Sequence, residues 1–402
     1  MNPVLAFVVV MLVWTVSDYV AKKTQSLLSS LFVASIIFLV GFLTGIFPED
    51  LLASSSLLAL AGVVVGFIIV HLGTMISLED FKKQWKTFLI GFATVVGIGI
   101  ALWVASIIFG GSISGTAEEG YAQALDFVAA GTGALSGGTI SVLLIQEAAL
   151  GVGLTSIAIF PVLIAALQGL VGFPLTSIIL RREATRLKGE YRAGNLATVV
   201  EEVQEESTEE GRLPAAFRTT AGTLFVVGVV VLVSMGVNDL TDGILNTFVV
   251  ALILGIALRT FGIFKPSVLS GIDAFGLMML AIMILIFGPL ATVTPSDVSE
   301  LAVPLLLAFV FGVAGIAAFA GLVGKLVGYS VPMSIAIGLT SLYGFPGTMI
   351  LSQEAARGAG ESPEEVAAIE HEILPKMIVA GFSTVTITSV VVTGFVVGWI
   401  GG

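Results

Sequence analysis

Long apolar runs broken by short polar or Gly/Pro-containing connections set the character of the chain. Leu57–Ile69, Phe88–Phe109 and Ile157–Leu180 are examples. Runs of about 20 apolar residues match the hydrocarbon thickness of a bilayer at 1.5 Å rise per residue. Hydropathy and helix breakers predict ten spans, at about 3–21, 27–47, 57–77, 87–109, 155–180, 217–237, 244–263, 270–291, 302–325 and 373–398. Two further apolar, Gly-rich stretches, about 127–152 and 334–358, are broken in the middle. The breaks are Ser136-Gly137-Gly138-Thr139 and Tyr343-Gly344-Phe345-Pro346-Gly347-Thr348. Either stretch crosses once, or returns to the side it came from as a re-entrant hairpin.

Charge distinguishes the two. With both stretches as hairpins, all 17 Lys and Arg side chains, from Lys22 to Lys376, fall on one face. The other face receives Glu49, Asp50, Glu118, Glu119, Asp239, Asp242, Asp297 and Glu300. If 127–152 crossed once, everything from Arg181 to Lys265 would change sides and the separation would be lost. The positive-inside rule makes the basic face cytoplasmic, with both termini outside. The expected organisation is a first repeat over 1–180, a cytoplasmic linker over 181–216 and a second repeat over 217–402. The Glu-rich part of that linker, Glu201–Glu210, reads as a solvated helix or tether.

The two halves repeat. GTGALSGGTISVLLIQEAALGVG at 131–153 aligns without a gap to GLTSLYGFPGTMILSQEAARGAG at 338–360. Gly131/Gly338, Gly137/Gly344, Gln146/Gln353, Glu147/Glu354 and Gly151/Gly358 coincide. Each half holds five spans, an odd number, so the copies enter from opposite sides. The expected fold is therefore all-α and polytopic, ten transmembrane helices as two inverted five-helix repeats, each with a re-entrant hairpin. Inverted repeats with interrupted segments in corresponding positions point to a secondary transporter and to its binding site.

Backbone freed from helical bonding survives in hydrocarbon only where protein or a water-lined cavity satisfies it. Two tips approaching from opposite faces surround one small polar ligand. Helix N-termini favour an anion, while freed carbonyls and hydroxyls suit a cation such as Na⁺. The candidate binding groups are Ser136, Gly137, Gly138, Thr139 and Ser141 in the first stretch. In the second they are Thr340, Ser341, Tyr343, Gly344, Phe345, Pro346, Gly347 and Thr348.

At these residues the chain resembles the glutamate:sodium symporter family and, more remotely, the 2-hydroxycarboxylate transporters. Ser136-Gly137-Gly138-Thr139-Ile140 occupies the place of that family's first G-G-x-G-T-type motif, without the residues between the Gly pair and Thr. Gly344-Phe345-Pro346-Gly347-Thr348 occupies the place of the second, G-F-G-x-G-x-T, with a proline inserted. The layout resembles the family over the whole chain, the motifs over about 50 residues. The resemblance implies Na⁺-driven uptake by an elevator-like movement of a core domain, in a homodimer.

Gln146-Glu147 and Gln353-Glu354 follow the tips by eight residues or so, about 12 Å along each returning arm. Either these carboxylates are wetted groups that satisfy a neighbouring backbone end, or they gate or couple an ion, Na⁺ or H⁺. Asp18 is one helical turn from Lys22, a pairing distance. His71 reads as a hydrogen-bonded packing residue rather than a proton relay.

Composition narrows the picture further. The chain is 56% apolar and 11% charged, where a soluble domain carries about 25% charged residues. With no cysteine, thiolate chemistry and disulfides are excluded, and two histidines cannot build a His-rich metal site. A net charge of −11 offers no basic surface for nucleic acid. Met1–Val20 has no basic n-region and reads as a retained first span. No catalytic constellation or nucleotide loop stands in a convincing setting, so no enzyme activity and no cofactor beyond a coupling ion are expected. The expected function is ion-coupled secondary transport in the plasma membrane, Na⁺ symport of a small carboxylate such as an acidic amino acid. Proton/cation antiport without an organic substrate, and a passive channel or membrane scaffold, stay open as alternatives.

Overall fold

The computed structural model of the chain describes residues 1–25, 27–75, 78, 82, 84–113, 117–196, 212–241, 245, 247–270 and 272–401. Among these, every regular element is a helix. Of the α-helices with eight or more residues, the first five are α1 (Pro3–Lys23), α2 (Ser30–Leu43), α3 (Leu57–Met75), α4 (Trp85–Ile113) and α5 (Ala117–Leu135). Then come α6 (Thr139–Gly151), α7 (Thr155–Arg192), α8 (Thr220–Leu240), α9 (Thr247–Thr260) and α10 (Phe275–Phe287). The last are α11 (Ala302–Leu326), α12 (Val331–Leu339), α13 (Gly347–Ala359), α14 (Pro363–Phe382) and α15 (Ser389–Val396).

Seven of the described helices are long and apolar enough to cross a membrane. Their outward faces agree with lipid rather than water. On α1, Val4, Val8, Leu12 and Val16 recur at every fourth position and are exposed, while Ala6, Val10, Val13 and Ser17 face inward. Leaving such side chains in water would forgo about 1.5–3 kcal/mol each, so this stripe is stable against acyl chains. The chain is a helical membrane protein.

Local signals set the helix ends. Asn2 caps α1 by accepting from the Val4 and Leu5 amides at 3.0 and 3.2 Å. Ser29 caps α2 through the Phe32 amide at 3.1 Å, which starts that helix later than the expected residue 27. The last helix begins at Pro363 rather than near 373, because Ser362 caps it, Pro363 sits at its first position and Glu364 and Glu365 lie in its first turn. The helix α7 runs to Arg192, past its expected end at 180, with Arg186 paired to Glu183 at 2.6 Å. The start of the expected linker is thus helical; Glu201–Glu210 lies outside the described residues. Asp18 pairs with Lys22 at 2.6 Å, as its spacing suggests.

Both Gly-rich stretches are broken helices, as the sequence predicts: α5 stops at Leu135 and α6 starts at Thr139, while α12 stops at Leu339 and α13 starts at Gly347. Each folds back on itself. Asp126 and Val152, towards the two ends of the first stretch, both meet Gly401. Its amide donates to Asp126 Oδ1 at 2.9 Å, and its Cβ position would fall 3.0 Å from Val152 Cγ2. The two ends of the second stretch both meet the charged end of α7. Ser330 donates to Glu183 at 2.7 Å, and Glu361 takes Lys188 at 2.6 Å and Arg192 at 2.7 Å. Pro363 and Gly401 lie at opposite ends of the helical run that α14 and α15 make, so the two stretches fold back from opposite ends of it.

Candidate functional site at the two helix breaks

The breaks meet each other. Gly137 has φ +85, and a Cβ there would lie 1.9 Å from the Ser341 carbonyl oxygen, so the two tips touch backbone to backbone. Only glycine allows both that conformation and that approach. At Gly138 a Cβ would fall 2.5 Å from the Val385 carbonyl oxygen and 2.6 Å from Ser389 Oγ. Both tips therefore press on one segment of the last helix, Ser383–Thr388, which is wound as a π-helix between α14 and α15. Single-turn π segments often mark functional sites, because they displace backbone groups from the regular ladder.

Hydroxyls gather at this junction. Ser136 donates to the Gly133 carbonyl at 2.7 Å and lies 3.0 Å from Ser389 Oγ. Ser141 shares a short hydrogen bond with Ser389. Thr340 donates to the Ile337 carbonyl at 2.7 Å and lies 3.2 Å from Thr384 Oγ1. Six buried side-chain polar atoms have no partner among the described residues, and Ser341 Oγ, Thr348 Oγ1 and Thr393 Oγ1 are three of them. Ser341 and Thr348 flank the second tip, and Thr393 faces α5, 2.9 Å from where a Gly133 Cβ would be. Each such atom carries a desolvation cost of about 1–3 kcal/mol until something hydrogen-bonds it.

The remaining candidates divide. Gly344, at φ +57, abuts Val385, while Pro346 forms the N-cap of α13. The aromatics pack on neighbouring helices. Tyr343 donates to Thr176 of α7 at 3.0 Å and packs on Phe173, while Phe345 stacks on Phe382 at 5.6 Å between ring centres. Gly347 touches the Tyr343 ring, which would lie 2.7 Å from a Cβ there. These three hold the second tip against its neighbours. The side chains of Thr139 and Glu147 lie outside the described residues. Gln146 is half-buried on α6, and Gln353 donates to Glu370 at 3.1 Å.

Glu354 is seated at the start of α2. One oxygen accepts from the Ser30 amide at 3.1 Å and from the Ser30 hydroxyl, at the N-terminus of α2, while Oε2 is buried without a partner. It satisfies a backbone end, yet inside the protein. His71 Nδ1 accepts from the Leu269 amide at 3.1 Å and its ring lies against Phe275, a packing role.

Sequence reasoning missed the contribution of the last helix: Ser383, Thr384, Thr388, Ser389 and Thr393 are all buried. The signal was the hydroxyl-rich run Ser383-Thr384-Val385-Thr386-Ile387-Thr388-Ser389 in an otherwise apolar span. It also missed Gln168, buried with Oε1 unpartnered, one helical turn before Gly172, which touches Leu342 and Tyr343.

Chemically the junction is neutral and rich in oxygen: hydroxyls plus the Ser341 and Val385 carbonyls, with no Lys, Arg, Asp or Glu among the groups named at the tips. Two 13-residue helices, α6 and α13, start here without a side-chain cap. Their N-termini favour a negative group, and the carbonyl and hydroxyl oxygens favour a hard cation. Among the described residues no three His, Cys, Asp or Glu side chains come together as a metal site. Compared with known proteins, the chain matches no family model and no curated protein.

Proposed function

We propose that the protein is an ion-coupled secondary transporter, a Na⁺ symporter of a small carboxylate such as an acidic amino acid. The observation that carries this reading is the meeting of two broken helices, folded back from opposite ends of the bundle, at a buried cluster of hydroxyls that includes unpartnered oxygens. A substrate carboxylate would take the amide-rich starts of α6 and α13, and Na⁺ would take the carbonyl and hydroxyl oxygens. Binding the pair together lets each charge offset the other's desolvation in a site that has no charged side chain of its own.

The same contacts support the ten-span reading with two inverted repeats, termini outside and the 181–216 segment cytoplasmic, in the plasma membrane. The fourth and ninth expected spans, equivalent in that scheme, cross glycine on glycine: a Cβ on Gly315 would fall 2.3 Å from the Gly97 carbonyl oxygen, and one on Gly97 would fall 2.8 Å from that of Gly315. Close contact between equivalent spans is what a two-fold relation between the halves would produce. Elevator-type movement in a homodimer follows the family resemblance.

A second reading, proton/cation antiport, is favoured by one observation, the unpartnered buried oxygen of Glu354. Reconstituted vesicles test both. Uptake of radiolabelled acidic amino acids and small carboxylates that requires an inward Na⁺ gradient is the expected result. Equilibration indifferent to the gradient overturns symport, and an internal pH change on adding Na⁺ without solute favours the antiporter.

A further inference from the structure

A second site lies away from the tips. Lys86 near the start of α4, Tyr329 just before α12, and His371, Glu372 and Lys376 of α14 line a cavity of about 390 Å³, with Gln84 and Trp85 on its wall. Both ammonium groups face one ring: Lys86 Nζ lies 6.0 Å and Lys376 Nζ 5.8 Å from the Tyr329 ring centre. The ring is held by Thr87 Oγ1, 3.2 Å from the Tyr329 hydroxyl, and Thr87 in turn donates to Gln84 Oε1 at 2.8 Å. Two cations are thus gathered in one cavity, and the carboxylate that lines it, Glu372, bonds Lys376 at 2.6 Å. Among the described residues, the Tyr329 face is the neighbour of Lys86 Nζ. Glu372 offsets one of these two charges, so the groups described at the cavity keep a net positive charge, which an entering anion would offset.

The rim indicates where that anion comes from. Trp85 is 58% exposed beside the cavity, and tryptophan favours the headgroup level of a bilayer. The cavity opens between helices at the end that carries the basic residues, the arrangement that takes anionic lipid headgroups. We infer that the Lys86–Tyr329–Lys376 cavity binds a phosphate group, presented by an anionic lipid at the cytoplasmic surface. Seated there, the phosphate links α4 and α14 at the approach to α12, the first arm of the second broken stretch. The inference does not depend on what the tips bind.

Thermal unfolding of the full-length protein in neutral detergent tests it, with phosphatidylglycerol, phosphatidylcholine or sodium phosphate added. Phosphatidylglycerol is expected to raise the Tm by several degrees more than phosphatidylcholine, and Lys86→Gln to remove that difference. Lys325→Gln, a basic residue that does not line the cavity, is expected to keep it. If sodium phosphate reproduces the Lys86-dependent shift, the same site takes free phosphate as well. Equal shifts from both lipids, or a phosphatidylglycerol preference that survives Lys86→Gln, overturn the proposal. Should Lys86→Gln fail to fold, quenching by brominated lipids, read as the difference between the wild type and Trp85→Phe, measures the same contact. No preference for brominated phosphatidylglycerol over brominated phosphatidylcholine overturns it.

Discussion

Ser341 and Ser136 carry the same side chain a few ångströms apart, and physics asks opposite things of them. The Ser136 hydroxyl is satisfied twice, by Gly133 and Ser389, whereas Ser341 Oγ is buried and unpartnered. Ser136→Ala should therefore lower stability by about 1 kcal/mol, the net worth of a typical internal hydrogen bond. Ser341→Ala removes a desolvated group that nothing in the protein repays, so stability should hold or rise. Its Na⁺-driven uptake should instead fall about tenfold or more, since a hydrogen bond to a charged ligand is worth about 1.5–3 kcal/mol. Thermal unfolding beside uptake assays checks both halves, and a Ser341→Ala protein that loses stability but transports normally would show the hydroxyl to be structural. At this scale the sequence was partly legible. The glycines and the proline mark the breaks because their backbone preferences are local. The packing of Tyr343 on α7 and of Phe345 on Phe382, and the seating of Glu354 on α2, depend on which helices become neighbours, and no local pattern reveals that.

Among the helices, glycine placement separates close approach from open space. Gly137→Ala meets a strained positive φ, costing about 1–3 kcal/mol, and adds the collision with Ser341 that its Cβ distance of 1.9 Å implies. Gly62→Ala in α3 meets nothing within 4 Å and should stabilise that helix by about 0.5–1 kcal/mol. Melting temperatures of the two variants should move in opposite directions. The mechanism is contact with the π-helical segment and the opposite tip, so even the smallest side chain should act at Gly137.

A second element-scale effect depends on pH. Hydrogen bonds from Lys188 and Arg192 hold the Glu361 carboxyl down at about 2, below the ordinary 4.5. Because the folded value is the lower one, the clasp adds stability that is complete above about pH 4.5 and lost as the pH falls towards 2. Spin labels on Gly189 and Glu364 should keep one sharp distance below pH 4.5 and broaden only as the pH nears about 2. A distance unchanged at pH 2 would mean the ion pairs do not hold these helices together. The start of α14 was readable beforehand in Ser362-Pro363-Glu364-Glu365, a capping residue, a proline and early acids in sequence. It went unread because hydropathy alone puts the span later. The last-helix hydroxyls were hidden for a different reason: Ser and Thr inside an apolar span also serve ordinary helix packing, and only the arrival of both tips distinguishes them.

Over the whole molecule, the pattern most legible in the sequence was the long-range one. Apolar run length predicts a helical membrane protein, and the outward Val and Leu stripe of α1 agrees. Separation of basic from acidic loops led to the folded-back reading of both broken stretches, and the contacts of Asp126 and Val152 with Gly401 supply the matching geometry within the protein. Whether those stretches also return to the same side of a membrane is the claim on which the transporter reading rests. The chain has no cysteine, so single-cysteine variants and an impermeant maleimide address it without background. Glu118→Cys and Val152→Cys should both react in intact cells, and Leu326→Cys and Arg357→Cys only after the membrane is opened. A Val152→Cys protein that stays protected while Glu118→Cys reacts would show the first stretch to cross once, and would contradict the account.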